Sequence, residues 1–321
     1  MIQVIARSIK RFPEIAAGVS FLVICVVFAI LSNRFLTLST WGEILATGAE
    51  LGIIAVPVAL LMISGNFDLS VGSTYALSGM VFIWALNSGL HPVISLIIAI
   101  ASGAGVGFFN GTVVLKMHIH SFIVTLGVMM LLRGLLLVWT EGFPASVKGG
   151  KAAHPVLFGL LAGRIGRTPL RTSAIWFILT TAVLTFVLFN TRHGNWTFAT
   201  GGDVESARDE GVLVDRVQLI NFVIVGSMAA VSGLLEVGRM FSAFPTLGVG
   251  MELETIASAV IGGCLLTGGA GSVFGAFIGA LLMSTVRIGL VLAGAPAYWY
   301  QAFIGLLVII AVILRERMIK I

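Results

Sequence analysis

Long apolar segments recur along nearly the whole chain of 321 residues, and no other sequence feature constrains the fold as strongly. A helix that crosses the hydrocarbon core of a bilayer needs about 20 mostly apolar residues. We therefore predict an all-α membrane protein with about ten transmembrane helices, because helices satisfy their own backbone hydrogen bonds in lipid. The segments lie near residues 15–33, 44–64, 69–88, 92–114, 121–139, 173–190, 218–237, 255–267, 271–292 and 298–314. The eighth is too short to span alone, which predicts a half-helix or a break at Gly262 and Gly263.

Composition supports a membrane protein without an attached soluble domain. Hydrophobic residues make up 58% of the chain and charged residues only 10%, whereas soluble domains carry about 25% charged residues. The 39 glycines lie largely within the apolar segments, where small residues let helices pack closely. We expect residues 1–321 to form a single transmembrane domain.

The basic residues predict the orientation of the chain in the membrane. Both ends are basic, so the positive-inside rule places both termini in the cytoplasm. The first apolar segment is long for a signal peptide and lacks a small-residue cleavage site, so we expect a retained helix. The loop 140–172 is also basic, yet this topology places it outside. Because basic residues flank the apolar segments, orientation explains the net charge of +5 better than a nucleic-acid partner does.

Glycines interrupt the apolar pattern in corresponding parts of the two halves, at residues 64–73 and 267–275. Paired interruptions are typical of internally repeated transporters, in which irregular backbone lies near a polar path. The candidate residues for such a translocation path are Asn66, Asp68, Ser70, Gly268 and Ser272. For Asp68 two roles are open, a cap for the following helix or a contact with substrate.

Ionisable residues within predicted spans are costly and usually pair inside the bundle. Glu50 and Arg133 form a candidate intramembrane ion pair, although snorkelling to the interface would also explain them. Arg287 lies in another span. Four further charged residues fall at the predicted outer ends of helices, where we expect them to be solvated: Glu236, Arg239, Glu252 and Glu254.

The loop 191–217 is predicted to be cytoplasmic and is rich in charged residues. Residues 203–211 favour a short helix, because Asp203 can cap its start and Gly211 its end. Such a helix offers a firm surface to a soluble partner, and a solvated loop is the alternative.

Motifs for catalysis, metal binding and nucleotide binding are absent from the sequence. It contains no Walker A, H-E-x-x-H or G-x-S-x-G pattern. His118 and His120 are two residues apart and would point to different faces of a helix, so we expect neither a metal nor a cofactor. A transporter of this kind uses an ion gradient or a separate ATPase.

The chain resembles the permease subunits of bacterial ABC importers for ribose and related simple sugars. The resemblance rests on four motifs that occur in the same order as in that family, from about residue 51 to 314. The first motif contains Asp68-Leu69-Ser70-Val71-Gly72. The matching stretches are 65–73, 109–111 with 121–127 and 133–134, 201–208, and 245–263 with 268–272.

The resemblance implies a partly inverted helix bundle of the vitamin B12 importer-like type. It also implies a dimer of permeases around a central path, an external substrate-binding protein and a cytoplasmic ABC ATPase subunit. The segment from Asp203 to Glu210 corresponds to the coupling helix that contacts the ATPase. Its coupling residues would be Asp203, Glu205, Ala207 and Arg208.

The resemblance therefore implies a permease subunit, without an ATPase site of its own, that moves a simple sugar or a related small polar nutrient across the bacterial inner membrane. Within importers, a permease for branched-chain amino acids is the alternative. An ion-driven secondary transporter is an alternative of another class, and only Asp68 and Glu50 could titrate in its path. No catalytic pair supports an intramembrane enzyme.

Overall fold

The computed structural model describes residues 13–296, 298–306 and 309. The described chain is mostly helical, and residues 299–306 belong to a further helix. Two short strands, β1 (Ala145–Ser146) and β2 (Ser242–Ala243), pair antiparallel, and a 3₁₀ turn covers Gly150–Ala152. The helices are α1 (Pro13–Leu31), α2 (Leu38–Ile63), α3 (Val71–Asn87), α4 (Pro92–Met117), α5 (Ser121–Thr140), α6 (Pro155–Ala162), α7 (Thr172–Asn190), α8 (Arg192–Gly202), α9 (Val204–Asp209), α10 (Val214–Met240), α11 (Met251–Ile261) and α12 (Val273–Leu292).

Seven helices within the described residues are long and apolar enough to cross a membrane: α1, α2, α4, α5, α7, α10 and α12. Helix α3 has 17 residues and α11 has 11. The predicted segment 298–314 extends beyond the described residues. The prediction of a multi-pass helical membrane protein is confirmed, and the count of ten crossings stays a prediction.

Helix α2 forms the centre of the bundle, and α1 lies at its edge. Every residue of α2 from Gly48 to Ile63 is buried, and α2 packs against α7, α10, α11 and α12. By contrast, α1 exposes large apolar side chains such as Leu22, Val23 and Ile30. An apolar face of this size is stable only when something other than water covers it, so lipid is expected to cover α1.

Small residues allow the closest helix contacts, as the composition predicted. A Cβ atom on Gly103 of α4 would overlap the carbonyl oxygen of Gly226 on α10, and one on Gly107 would overlap that of Phe222. These glycines are four residues apart and therefore lie on one face of α4. The α4–α10 interface depends on this close approach of backbones.

The eighth predicted segment is a half-helix that is broken at Gly262 and Gly263, so the structure confirms both alternatives from the sequence. Helix α11 ends at Ile261, and Gly262 is its C-terminal cap. The preceding residues, 241–250, form only β2 and turns. Phe241, Gly248 and Gly250 in this stretch have positive φ angles, which interrupt helical structure.

The loop 191–217 contains one more helix than the sequence predicted. Helix α8 was missed because it is short and polar overall and contains three glycines, Gly194, Gly201 and Gly202. Its start is marked only by Thr191, whose hydroxyl accepts a hydrogen bond from the N–H of Gly194 at 3.3 Å. The basic residues on which the predicted orientation rests lie outside the described residues: Arg7, Lys10, Arg11, Arg315, Arg317 and Lys320.

Candidate functional site

Helix α9 is capped at both ends, as the sequence predicted. The carboxylate of Asp203 accepts a hydrogen bond from the N–H of Ser206 at 2.7 Å, and this bond lowers the pKa of Asp203. At the other end, Gly211 has a φ of +81°. The N–H groups of Gly211 and Val212 donate to the carbonyls of Arg208 and Ala207, each at 2.9 Å. This pairing closes the helix with a Schellman motif.

The outward face of α9 is charged, and its inward face is a single small residue. Glu205 and Arg208 are exposed. Arg208 pairs with Asp215 at 2.8 Å, and both side chains are more than half exposed. Ala207 is only 5% exposed, so it lies on the inward face of α9, whereas Asp203, Glu205 and Arg208 are exposed. The coupling role of these four residues remains a prediction.

Four glycines form a cluster of close backbone contacts directly before α9. We name this cluster, Gly65, Gly201, Gly268 and Gly269, the glycine junction. Gly201 belongs to the last turn of α8. A Cβ atom on Gly201 would overlap the carbonyl oxygen of Ile63, the last residue of α2, and would lie 2.6 Å from the nitrogen of Gly269. One residue separates α8 from α9, so the glycine junction lies directly next to α9 along the chain.

The glycine junction brings the two predicted interruptions into contact. The N–H of Gly269 donates to the carbonyl of Ile63 at 2.9 Å. A Cβ atom on Gly268 would lie 2.9 Å from the Cα of Gly65 and 2.9 Å from the carbonyl oxygen of Gly201. The break after α2 and the break before α12 therefore touch each other and the end of α8.

Asp68 organises the turn that leads into α3. Its Oδ1 atom accepts hydrogen bonds from both the N–H and the hydroxyl of Ser70 at 2.7 Å. Asn110 of α4 donates to Asp68 Oδ2 at 3.2 Å and to Ser70 Oγ at 2.8 Å. Thr125 of α5 accepts from the N–H of Leu69 at 3.1 Å. The N-cap of α3 is Ser70, without a side-chain cap hydrogen bond, so Asp68 orders the turn before the helix and does not cap it, and its contact with substrate remains a prediction.

The candidate path residues are buried in this conformation. Asp68, Ser70 and Ser272 are each at most 1% exposed. Ser272 caps α12 by accepting a hydrogen bond from the N–H of Gly275 at 3.1 Å. Asn66 and Gly268 are also buried. Local hydrogen bonds account for the polar side chains of Asp68, Ser70 and Ser272, and a role in a translocation path remains a prediction.

The predicted ion pair between Glu50 and Arg133 does not form. Glu50 pairs instead with Arg239 of α10, with 2.7 Å between Arg239 Nε and Glu50 Oε1. Arg239 also pairs with Glu236 at 2.7 Å. Both carboxylate side chains are less than 10% exposed. We name Glu50, Glu236 and Arg239 the buried triad.

Arg133 binds backbone oxygen atoms and not a carboxylate. Its Nη1 atom donates to the carbonyls of Pro245 and Leu247 at 2.9 and 2.7 Å. These residues belong to the non-helical stretch before α11, whose carbonyls lack the partners that a helix would supply. In a membrane protein such backbone is tolerated where the protein satisfies it. Arg133 therefore stabilises the non-helical residues that precede α11.

The prediction that Glu236, Arg239 and Glu254 are solvated at helix ends is wrong. Glu254 lies in the first turn of α11 and pairs with Arg287 of α12 at 2.7 Å. Tyr300 donates to Glu254 at 3.0 Å. Because an irregular stretch precedes the half-helix, its first turn packs against α12, and that contact places Glu254 inside the bundle.

The charged α9 and the basic loop 140–172 lie at opposite ends of α10. Helix α10 begins at Val214, a few residues after α9, and has 27 residues, which corresponds to about 40 Å. Near its other end, a Cβ atom on Gly238 would lie 2.8 Å from the Cβ of Leu161 in the basic loop. Strands β1 and β2 also join the basic loop to the chain that follows α10.

A bundle of apolar helices that are long enough to cross a membrane, with ion pairs buried inside it, is typical of membrane transport proteins. The family model described as "Branched-chain amino acid transport system / permease component" matches residues 40–312. The chain belongs to this permease family, and it is a transport subunit and not an enzyme.

Individual relatives match almost the full length of the chain. The ribose import permease protein RbsC of Escherichia coli strain K12 is 34% identical over 300 residues, which cover 93% of this chain and 92% of the relative. The autoinducer 2 import system permease protein LsrC of Enterobacter sp. strain 638 is 33% identical over 317 residues, which cover 97% and 89%. The LsrC protein of Yersinia pseudotuberculosis strain PB1/+ is 32% identical over 317 residues, which cover 97% and 87%. The resemblance to importer permeases is confirmed.

Proposed function

We propose that this chain is the permease subunit of an ABC importer that moves a simple sugar or a related small polar nutrient across the bacterial inner membrane. The relatives named for ribose and autoinducer 2 import support this substrate class, because they match nearly the whole chain. A substrate of the branched-chain amino acid class is the second candidate, since the matching family model carries that description.

Uptake by the assembled importer distinguishes these substrates. We expect membrane vesicles that contain the permease, its ATPase and its binding protein to accumulate labelled ribose or a similar small sugar when ATP is supplied. Unlabelled sugar should compete with this uptake, and unlabelled leucine should not. Uptake that leucine abolishes and sugars leave unchanged would show that the substrate proposal is wrong.

The exposed and doubly capped helix α9 is the single observation that carries the proposed energy source. A rigid polar helix at the end of a membrane bundle can fit a cleft of a cytoplasmic ATPase, with Asp203, Glu205 and Arg208 at the contact. The coupling role is proposed for the loop 191–217 as a whole, because α8 connects α9 to the glycine junction. A movement of the ATPase would then be transmitted through α9 and α8 to the breaks next to α2 and α12, with no long flexible segment in between.

The proposed topology places α9 in the cytoplasm together with both termini. It includes about ten crossings and a partly inverted bundle of the vitamin B12 importer-like type. The basic loop 140–172 then faces a substrate-binding protein on the outside, and the separation of this loop from α9 along α10 supports that arrangement. A second permease copy or a paralogue, surrounded by lipid, would complete a central path.

Alternating access is the proposed mechanism, and the permease forms no covalent bond with its substrate. Closure of the ATPases moves α9, the glycine junction transmits that movement, and the two permeases rock about the central path. The path residues Asn66, Asp68, Ser70, Gly268 and Ser272 lie at or near the breaks that would move. Their burial supports a closed conformation of this region in the structure.

The substitution Arg208→Glu should weaken binding of the ATPase without unfolding the permease. It reverses one charge on the exposed face of α9, and the pair with Asp215 that it removes is a surface pair worth about 0.2–1 kcal/mol. We expect the ATPase to co-purify at less than about a tenth of the normal yield, because charge reversal at a contact costs several kcal/mol. The melting temperature of the permease in detergent should stay nearly unchanged.

The matched control is Asp215→Asn, which removes the same ion pair and leaves Arg208 in place. This control should keep the ATPase bound. Equal losses in both variants would mean that the internal pair matters and that Arg208 makes no contact with the ATPase. Full-rate solute uptake by the permease alone in liposomes would contradict the proposed energy source altogether.

A further inference from the structure

We infer that a cationic pocket between the basic loop and the end of α10 binds a phosphate group. The pocket has a volume of about 330 Å³. Its walls combine four cationic side chains with the rings of Phe158 and Phe241. The four cations are Lys151, Arg164, Arg171 and Arg239.

Three of these cations lack a counter-charge. Arg239 pairs with both Glu50 and Glu236 of the buried triad and therefore contributes no unpaired positive charge. Lys151, Arg164 and Arg171 form no ion pair within 4.0 Å with any residue that the structure describes, and no carboxylate lines the pocket. Like charges that converge on one cavity repel each other, and a bound anion would remove that cost.

Arg171 also holds an unused hydrogen-bond donor. One of its terminal nitrogens donates to the carbonyl of Ala162 at 3.2 Å, which fixes the guanidinium at the wall of the pocket. Its Nε atom is buried and has no hydrogen-bond partner among the described residues. A buried donor of a charged group is costly to leave without a partner, so this atom indicates a ligand in the pocket.

The number and type of donors favour phosphate as the ligand. Two guanidinium groups and an ammonium group suit an oxyanion that carries several acceptor oxygens, and arginine binds phosphate through parallel hydrogen bonds. Arg164 and Arg171 are brought side by side by an antiparallel bridge between their backbones. The pocket can therefore present both guanidinium groups to one phosphate.

The surroundings of the pocket favour a lipid headgroup as the source of the phosphate. Helix α6, which contributes Phe158, exposes Val156 and Leu160 beside it. Trp176 in the first turns of α7 donates from its ring nitrogen to the carbonyl of Leu160 at 2.9 Å. Tryptophan at the end of a span is typical of the membrane interface. A phosphate in the pocket would thus lie at headgroup level, with apolar surface next to it for acyl chains.

Native mass spectrometry of the full-length permease, purified in detergent, tests the inference. We expect the wild-type protein to retain phosphatidylglycerol in preference to phosphatidylcholine. Lys151→Gln and Arg171→Gln should each weaken retention by about tenfold, the effect of one charge-assisted hydrogen bond. Lys151 is exposed, so its variant reports on binding even where Arg171→Gln fails to fold.

The matched control is Arg167→Gln, an exposed arginine in the same loop that does not line the pocket. It should retain the lipid like the wild type. Stabilisation by inorganic phosphate that excludes phosphatidylglycerol would identify a soluble phosphate compound as the source. Unchanged lipid and phosphate binding in all variants overturns the inference, and so does an effect confined to docking of the binding protein.

Discussion

Gly201→Ala should abolish ATP-driven uptake and lower the thermal stability of the permease. The added methyl group would overlap the carbonyl oxygen of Ile63 and lie 2.6 Å from the nitrogen of Gly269. Both atoms belong to the backbone, so no side chain can rotate away. Overpacking of this kind costs about 1–3 kcal/mol, and relief requires the end of α8 to move off the glycine junction. Uptake by the assembled importer and the melting temperature of the purified chain measure the two effects.

Gly202→Ala is a closely matched control, because it adds the same methyl group to the next residue of α8. Apart from its chain neighbours and the backbone of its own helix, no described atom lies within 4 Å of the position that its Cβ would occupy. Replacement of a helical glycine by alanine should even stabilise the helix, by up to about 1 kcal/mol. We expect normal uptake in this variant. Equal behaviour of the two alanine variants would show that close packing at the glycine junction does not transmit movement.

The membrane class and the helical fold could be predicted because lipid imposes a local rule. A span must be apolar for about 20 residues, and this property is visible without any knowledge of tertiary contacts. The caps of α9 could be predicted for the same reason, since Asp203 and Gly211 act within a few residues of themselves. The motifs that resemble importer permeases added the family, which the comparisons confirmed.

The partners of the buried charges could not be predicted, because they depend on long-range contacts. Glu50 and Arg239 are 189 residues apart, and the sequence placed Arg239 at a solvated helix end. The three-residue spacing of Glu236 and Arg239 was the one local signal for a pair. The acceptors of Arg133 are backbone carbonyls, whose need for a donor arises only because residues 241–250 are not helical.

The glycine junction could be predicted from the sequence only in part. Both interruptions were visible in the sequence, and their paired positions indicated a related role. Their contact was not visible, since it depends on how α2 and α12 pack. Gly201 begins one of the stretches that match importer permeases, but only the position of Ile63 shows that a side chain cannot fit there.

Arg239→Met should destabilise the permease more than any other single charge removal that we predict. Methionine fills a similar volume but leaves Glu50 and Glu236 without their shared cation in a buried site. Loss of one partner from a buried ion pair costs about 3–5 kcal/mol. Thermal unfolding of the purified chain in detergent measures this loss. Arg208→Met is the control, because it breaks an exposed pair worth no more than about 1 kcal/mol.

A triple variant distinguishes the loss of the ion-pair attraction from the free-energy cost of leaving the two buried carboxylates without a cation. Arg239→Met combined with Glu50→Met and Glu236→Met removes both carboxylates together with the cation. Replacing buried ionic groups by well-packed hydrophobic residues of similar volume often leaves stability nearly unchanged, so the triple variant should regain most of the lost stability. Strong non-additivity of this kind is expected for groups in direct contact. If the triple variant is as unstable as Arg239→Met, the packing of Arg239 and not its charge holds α2 against α10.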